Sequence, residues 1–251
     1  MTVIPPGRVR RAALVTAMST LAVAGATGVT GCSEDPDAGT NGVGRLSAGQ
    51  IQSRTRSAAD SAGALRLSGT VVASGKTYQL DMRLNADGGT GSVTSKGAAF
   101  QLLRIGDQLY LKADVDFWRH VDGAGAKGGD AASADKLDGK YVKVPHGDPA
   151  YKKFSGFTDK DVLLDGLLTL HGDLTTDGHH EQSGVRTIRI TGDKGAGGTL
   201  DVSLEGKPYP LNLARAGGAG TLSFSDWDKG FTLKEPSKAD TVDYGKQLPA
   251  S

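Results

Sequence analysis

The 251-residue sequence predicts an α+β fold, an antiparallel β-sheet packed against helices. Three observations predict it. Two groups of short segments, one in each half of the chain, alternate apolar and polar residues with the two-residue period of a half-buried strand. Between the groups, Thr158 to Leu170 carries Val162, Leu163, Leu164, Leu167, Leu168 and Leu170 almost without polar relief, which suits a helix covered on most of its surface. The 37 glycines fall largely in short polar clusters between apolar runs, where turns require them.

The first 31 residues read as an address and not as part of that fold. Arg8, Arg10 and Arg11 form a positive start, Ala12 to Val29 is apolar, and small residues follow, which is the layout of a secretory signal. The ending Val29-Thr30-Gly31-Cys32 resembles a bacterial lipobox. That resemblance implies cleavage after Gly31 and a thioether-linked lipid on Cys32. Arg10-Arg11 is similar to a twin-arginine signal, so the export route stays open. The alternative is an ordinary signal peptide or a membrane-spanning anchor. Thr16, Ser19, Thr20 and Thr27 interrupt the apolar run, which suits a removed segment better than a spanning helix of about 20 residues. Cys32 is the single cysteine, so an intramolecular disulfide is excluded. Residues 32–46 are polar, Gly-rich and aperiodic, and are expected to be a flexible tether. Residues 47–251 are expected to form one domain.

Within that domain, Ser47-Ala48-Gly49-Gln50 fits a capping box, and Ile51, Thr55, Ala58 and Ala62 continue at helical spacing. Leu65, Leu67, Gly69 and Val71 alternate, as do Tyr78, Leu80, Met82 and Leu84, with a turn at Ser74-Gly75. Phe100 to Ile105 and Leu109 to Lys112 form a second pair around Gly106-Asp107. Ala113 to His120 reads as a short helix carrying Phe117 and Trp118, and glycines 123, 125, 128 and 129 as a long loop after it. Thr158-Asp159-Lys160-Asp161 is a helix start. Ile188 and Ile190, then Leu200, Val202 and Leu204, then Tyr209, Leu211 and Leu213, then Leu222 and Phe224 make the second strand group.

Charge and motif chemistry narrow the function. Without the three leader arginines, 26 of the 29 basic residues face 28 acids, a net charge of −2. That balance gives no footprint for nucleic acid and no polybasic membrane patch. Gly123 to Gly128 fits G-x-G-x-x-G but follows a helix and not a strand, so the phosphate cradle is not expected. His179-His180 is read as part of a polar turn, where neighbouring side chains diverge, and no metal site is expected. Asp114 with Asp116, and Asp159 with Asp161, are helix-start residues and not acid–base pairs. No G-x-S-x-G elbow is present. No catalytic residue, cofactor or metal follows from the sequence, and the chain is read as a non-enzyme.

The run Arg104-Ile-Gly-Asp-Gln-Leu-Tyr-Leu-Lys-Ala-Asp-Val-Asp-Phe-Trp118, followed by Gly139-Lys-Tyr-Val-Lys-Val-Pro145 and a Pro-marked ending from Glu235-Pro236 to Asp243, resembles actinobacterial envelope lipoproteins of the LppX/LprA/LprF/LprG type. The resemblance spans about residues 47–245. It implies a LolA/LolB-like fold, a curved antiparallel sheet or half-barrel with helices packed on its concave face, and an apolar cavity for acylated lipid. On that reading the helix from Thr158 to Leu170 lines the cavity through Leu164, Leu167 and Leu168, with Phe117 and Trp118 near its entrance. The chain is then a lipid-anchored protein on the extracytoplasmic face of the cell membrane that binds or carries a lipid or other apolar ligand. The alternative is a tethered interaction or structural domain with an envelope-protein partner and no ligand.

Overall fold

The computed structural model describes residues 35–73, 75–96, 98–120 and 135–243. The leader, Cys32 and the glycines at 123–129, with the G-x-G-x-x-G match among them, lie outside the described residues. The described residues from Asp35 to Asp243 form one compact unit.

The unit begins earlier than expected. Most of the segment expected as a tether, 32–46, is instead held against the sheet from Asp35 onward. The Asn41 backbone N–H donates to the Leu204 carbonyl at 2.8 Å, and its side-chain amide donates to the Ser203 carbonyl at 2.9 Å. Asp37 meets the His179 ring at 3.1 Å, Arg186 donates to the Ala38 carbonyl, and Asp35 pairs with Arg45. Val43, only 4% exposed, joins the core. Its composition suggested solvent, but Asn41 and Val43 supply one amide clip and one apolar anchor, and local pattern cannot register such long-range contacts.

Helix α1 (Ala48–Asp60) starts as the sequence predicts. Ser47 accepts from the Gln50 N–H while the Gln50 side chain accepts from the Ser47 N–H, closing the capping box. Such a cap contributes about 1 kcal/mol. Ala48, Ile51, Thr55 and Ala59 form its buried face.

The sheet has twelve strands among the described residues. Strands β1 (Ala64–Ala73), β2 (Lys76–Asn85), β3 (Gly88–Ser95), β4 (Ala98–Ile105) and β5 (Gln108–Ala113) run as an antiparallel meander. Helix α2 (Val115–His120), strand β6 (Tyr141–Val144), and helices α3 (Pro149–Ser155) and α4 (Lys160–Leu167) follow. A second antiparallel meander comprises β7 (Leu174–Gln182), β8 (Val185–Gly192), β9 (Thr199–Ser203), β10 (Pro210–Ala214) and β11 (Thr221–Ser225). Strand β1 pairs with β11, which joins the two meanders. The Pro-marked ending supplies β12 (Thr241–Asp243), which lies parallel to β6 and makes the one parallel pair among the described residues. The full order is β12-β6-β5-β4-β3-β2-β1-β11-β10-β9-β8-β7. The sheet is unclosed, an α+β half-barrel.

Both expected hairpins form in the expected register, with Leu67 opposite Met82 and Leu102 opposite Leu111. Four readings are corrected. Strand β3, Gly-Gly-Thr-Gly-Ser-Val-Thr-Ser, carries no alternation and was not expected. His179 and His180 lie in strand β7, past a bulge, and not in a turn. Helix α2 starts at Val115 because Ala113 is still paired with Phe100 in β5. Helix α4 is shorter than Thr158 to Leu170: Asp159 caps it, accepting from the Asp161 and Val162 N–H groups, and Leu168 ends it.

Alternation sorts the strands into two faces. Leu65, Leu67, Met82, Leu84, Leu102, Leu109, Leu111, Ile190 and Leu200 enter one core with Ile51, Leu164 and Leu168 from the helices. Each such side chain contributes about 1.5–3 kcal/mol on burial. Helix α4 is fixed to α1 by polar contacts: Lys160 Nζ donates to the Asp60 carbonyl at 3.0 Å, and Arg56 pairs with Asp165 at 2.5 Å. The first is a lysine satisfying an orphan carbonyl at a helix C-terminus.

Candidate functional site

Beside the core, where the turns of two hairpins approach α2 and α3, the apolar face opens into a groove of about 280 Å³. Tyr78 of β2, Ala98 and Phe100 of β4, Phe117 of α2, and Phe154 and Phe157 of α3 and its exit line it. Four of the chain's six phenylalanines meet here, so a sequence poor in aromatics has concentrated them at one place. Phe100 lies at the centre, 5.1 Å from the Phe117 ring and 5.3 Å from that of Phe154, and Tyr78 is 6.0 Å from Phe157. Phe100 and Phe117 are buried; Tyr78, Phe154 and Phe157 are half-buried, so the groove has an apolar floor and walls that reach solvent.

Local sequence fixes these rings. Asp148 caps α3 by accepting from the Ala150 N–H at 2.8 Å, with Pro149 at the first helical position. Tyr151, Phe154 and Phe157 then recur every third residue and turn toward the sheet. The Tyr151 hydroxyl donates to the Asp107 carbonyl at 3.0 Å, and burial pushes its pKa above the usual phenol range. After α3, Arg104 pins the chain to β4: its guanidinium donates to the Thr158 carbonyl at 2.9 Å, to the Thr158 hydroxyl at 3.2 Å and to Asp159 at 3.2 Å. Phe157 is therefore held from its next residue. Asp114 accepts from the Phe117 N–H at 2.8 Å and sets the start of α2, the role its position predicts.

The rim is basic. Lys76 at the start of β2, Lys96 in the turn after β3 and Lys153 on α3 line the groove with Ser95, and among the described residues no acidic side chain does. All three lysines are exposed.

The five residues expected at a ligand site separate. Phe117 lines the groove. Trp118 packs edge-on against Phe117 at 5.2 Å, and its buried indole N–H meets no acceptor among the described residues. Leu164 and Leu168, each 1% exposed, are packed in the core. Leu167 borders a separate pocket of about 180 Å³ whose other walls include Gly166, Thr169, His171 and Arg215. Sequence reasoning placed Tyr78 and Phe100 on strands but not at a site, and did not single out Phe154 or Phe157. The three-residue spacing from Tyr151 was the available signal. A more open depression of about 600 Å³ at the β6 end is lined by Gln108, Lys143, Val144, Pro145, His146, Gly147 and Asp243 and gathers no phenylalanine or tyrosine ring. Among the described residues, no three His, Cys, Asp or Glu side chains gather as a metal site would need.

No protein-family model matches the chain, and neither does any curated protein. Solved structures do. LprF from Mycobacterium bovis is 15% identical with a TM-score of 0.50, over 76% of this chain and 97% of that one. The lipoprotein LppX of Mycobacterium tuberculosis is 15% identical with a TM-score of 0.42, over 74% of this chain and 99% of that one. An uncharacterized conserved protein from Thermus thermophilus is 12% identical with a TM-score of 0.33, over 78% of this chain and 98% of that one. The twelve-stranded unclosed sheet with its helices thus has the fold of an LprF-type lipoprotein.

Proposed function

We propose that the chain is a lipid-anchored protein of the cell envelope that holds a lipid or other apolar ligand in the groove between sheet and helices. The observation that carries this reading is the aromatic groove itself. Small-molecule sites are concave and mostly apolar, with few polar groups. Here apolar rings from four separate elements pack against one another and still border open space. A bound chain gains about 0.8 kcal/mol per buried CH₂, so it needs few specific contacts. The likeness in fold to LprF supports the same reading. The anchor rests on Val29-Thr30-Gly31-Cys32: acyl chains on Cys32 would hold the chain at the extracytoplasmic face. The reading includes no catalytic step.

A second reading, a tethered domain that binds an envelope protein and no ligand, draws on the filled core. Leu164, Leu168, Met82, Leu84 and Leu102 are each under 2% exposed, so the interior beneath α4 is occupied by the protein's own side chains.

Two arms test the proposal. Cys32→Ser should abolish metabolic labelling with an acyl probe and release the chain from the membrane fraction; persistent labelling rejects the anchor. A fluorescent fatty-acyl probe should bind the full chain saturably, and Phe154→Ala with Phe157→Ala should weaken it at least tenfold. A folded wild type that never binds the probe would favour the interaction domain.

A further inference from the structure

We propose that the ligand of this groove is an anionic single-chain amphiphile. Its chain lies against Phe100, Phe117, Phe154 and Phe157, and its carboxylate or phosphate head meets the ammonium groups of Lys76, Lys96 and Lys153. The inference rests on the carrier reading and adds the chemical class of the cargo.

Three observations carry it. The first is charge without compensation. Some lysines elsewhere pair with acids: Lys140 lies 3.5 Å from Asp240, Lys160 2.6 Å from Asp161, Lys207 2.9 Å from Asp228 and Lys229 2.9 Å from Asp226. Lys76, Lys96 and Lys153 share one mouth and have no carboxylate partner among the described residues; Lys153 Nζ lies 5.4 Å from the centroid of the Phe154 ring. The second is convergence. The three come from the first residue of β2, the turn after β3, and α3, which are far apart in sequence and adjacent only around this opening. Like charges gathered at one mouth repel one another and focus a positive potential there, which an anion relieves. The third is size. About 280 Å³ lies at the small end of ligand pockets, which run roughly 300–1,000 Å³, and gives room for one chain and not several. An apolar floor with a cationic rim matches a molecule with an alkyl tail and a negative head. A neutral chain would use the floor and leave the rim unmatched.

The same chemistry is offered by a fatty-acid carboxylate and by a phosphorylated lipid head, so both are probed. Isothermal titration at low salt uses the full chain carrying Cys32→Ser, so that no attached acyl group competes. Decanoate, decyl phosphate and decanol share one tail and differ in the head. The two anions should bind about tenfold or more tighter than decanol. The variant K76Q/K96Q/K153Q should lose about tenfold for the anions and nothing for decanol, as three exposed ion contacts allow. Raising the salt should reproduce that loss in the wild type. The three side chains are exposed, and an unchanged circular dichroism spectrum verifies that the variant is folded. Equal binding of decanol and decanoate overturns the inference and leaves the carrier reading standing. Anion preference that survives the triple substitution overturns the assignment to this rim. Failure of all three probes to bind overturns both the inference and the carrier reading.

Discussion

Asp228 shows how single side chains hold this sheet together. Its carboxylate accepts from the Tyr209 hydroxyl at 2.6 Å, from Lys207 Nζ at 2.9 Å and, through its other oxygen, from the Gly63 N–H at 2.9 Å. It thereby ties the end of α1, the approach to β10 and the exit from β11. Those hydrogen bonds, the tyrosine's first, lower its pKa to about 2. A carboxylate with a depressed native pKa stabilises the fold fully above its unfolded pKa, near 3.9. That stability is lost as pH falls from about 4 toward 2. The side chain is 41% exposed, so solvent screening holds the contribution below about 1 kcal/mol. Asp228 also has φ +58°, a conformation asparagine tolerates, so Asp228→Asn removes the charge without adding backbone strain. Acid unfolding followed by circular dichroism should show a shallower loss of stability between pH 4 and 2 in the variant. An identical acid profile would show that the cluster carries no net charge-linked stability.

At the scale of elements, α4 decides whether the interior under the helices is solid. Leu164 and Leu168 are buried to 1% exposure against the sheet. Leu168→Trp should therefore overpack and lower stability by about 1–3 kcal/mol, read as a fall in Tm. An unchanged Tm would mean that unfilled space lies beneath α4. The first hairpin was legible in the sequence because Leu65 to Val71 and Tyr78 to Leu84 face the core with every second residue. Strand β3 was not, because its residues answer to clearance. A Cβ at Gly89 would lie 3.1 Å from the Thr158 carbonyl, where the chain enters α4, and 2.5 Å from a Leu84 methyl. At Gly91 it would run into the Asp81 carbonyl. Gly89 records a close approach of elements about 70 residues apart, which no local window contains. Strand β7 was hidden for another reason. It is an edge strand with no fully buried residue, so its Leu-Thr-Thr-Asp-Gly-His-His-Glu-Gln has no apolar face to alternate with. The groove was half legible: Phe117 marked its position, while Phe154 and Phe157 joined it through the three-residue spacing of α3.

For the whole molecule, the chain closes its structure from outside as well as within. After β11 it runs back past β2, where Arg83 sits 4.4 Å over the Phe231 ring and Asn85 donates to the Phe231 carbonyl. It continues past β5, where burial first and then the nearby Glu235 carboxylate raise the Tyr110 pKa, and ends as β12 on the far edge beside β6. Leu103 and Tyr110, opposite each other on the face away from the helices, are each only 6% exposed, which accords with this covering strap. Among the described residues the sheet thus has a helical layer on one face and a strap over part of the other, and the aromatic groove is where the described helices leave the sheet uncovered. The central claim is that this groove carries an apolar ligand. Its most direct test is native mass spectrometry of the protein purified from its own host, comparing the wild type with Ala98→Trp, which places a large ring in the groove from a half-buried position on β4. The account predicts on the wild type a non-covalent lipid adduct, released on denaturation as acyl groups on Cys32 would not be, and its loss from an Ala98→Trp protein of near-normal Tm. A wild type that carries no adduct, or an adduct that persists when the groove is filled, would contradict it.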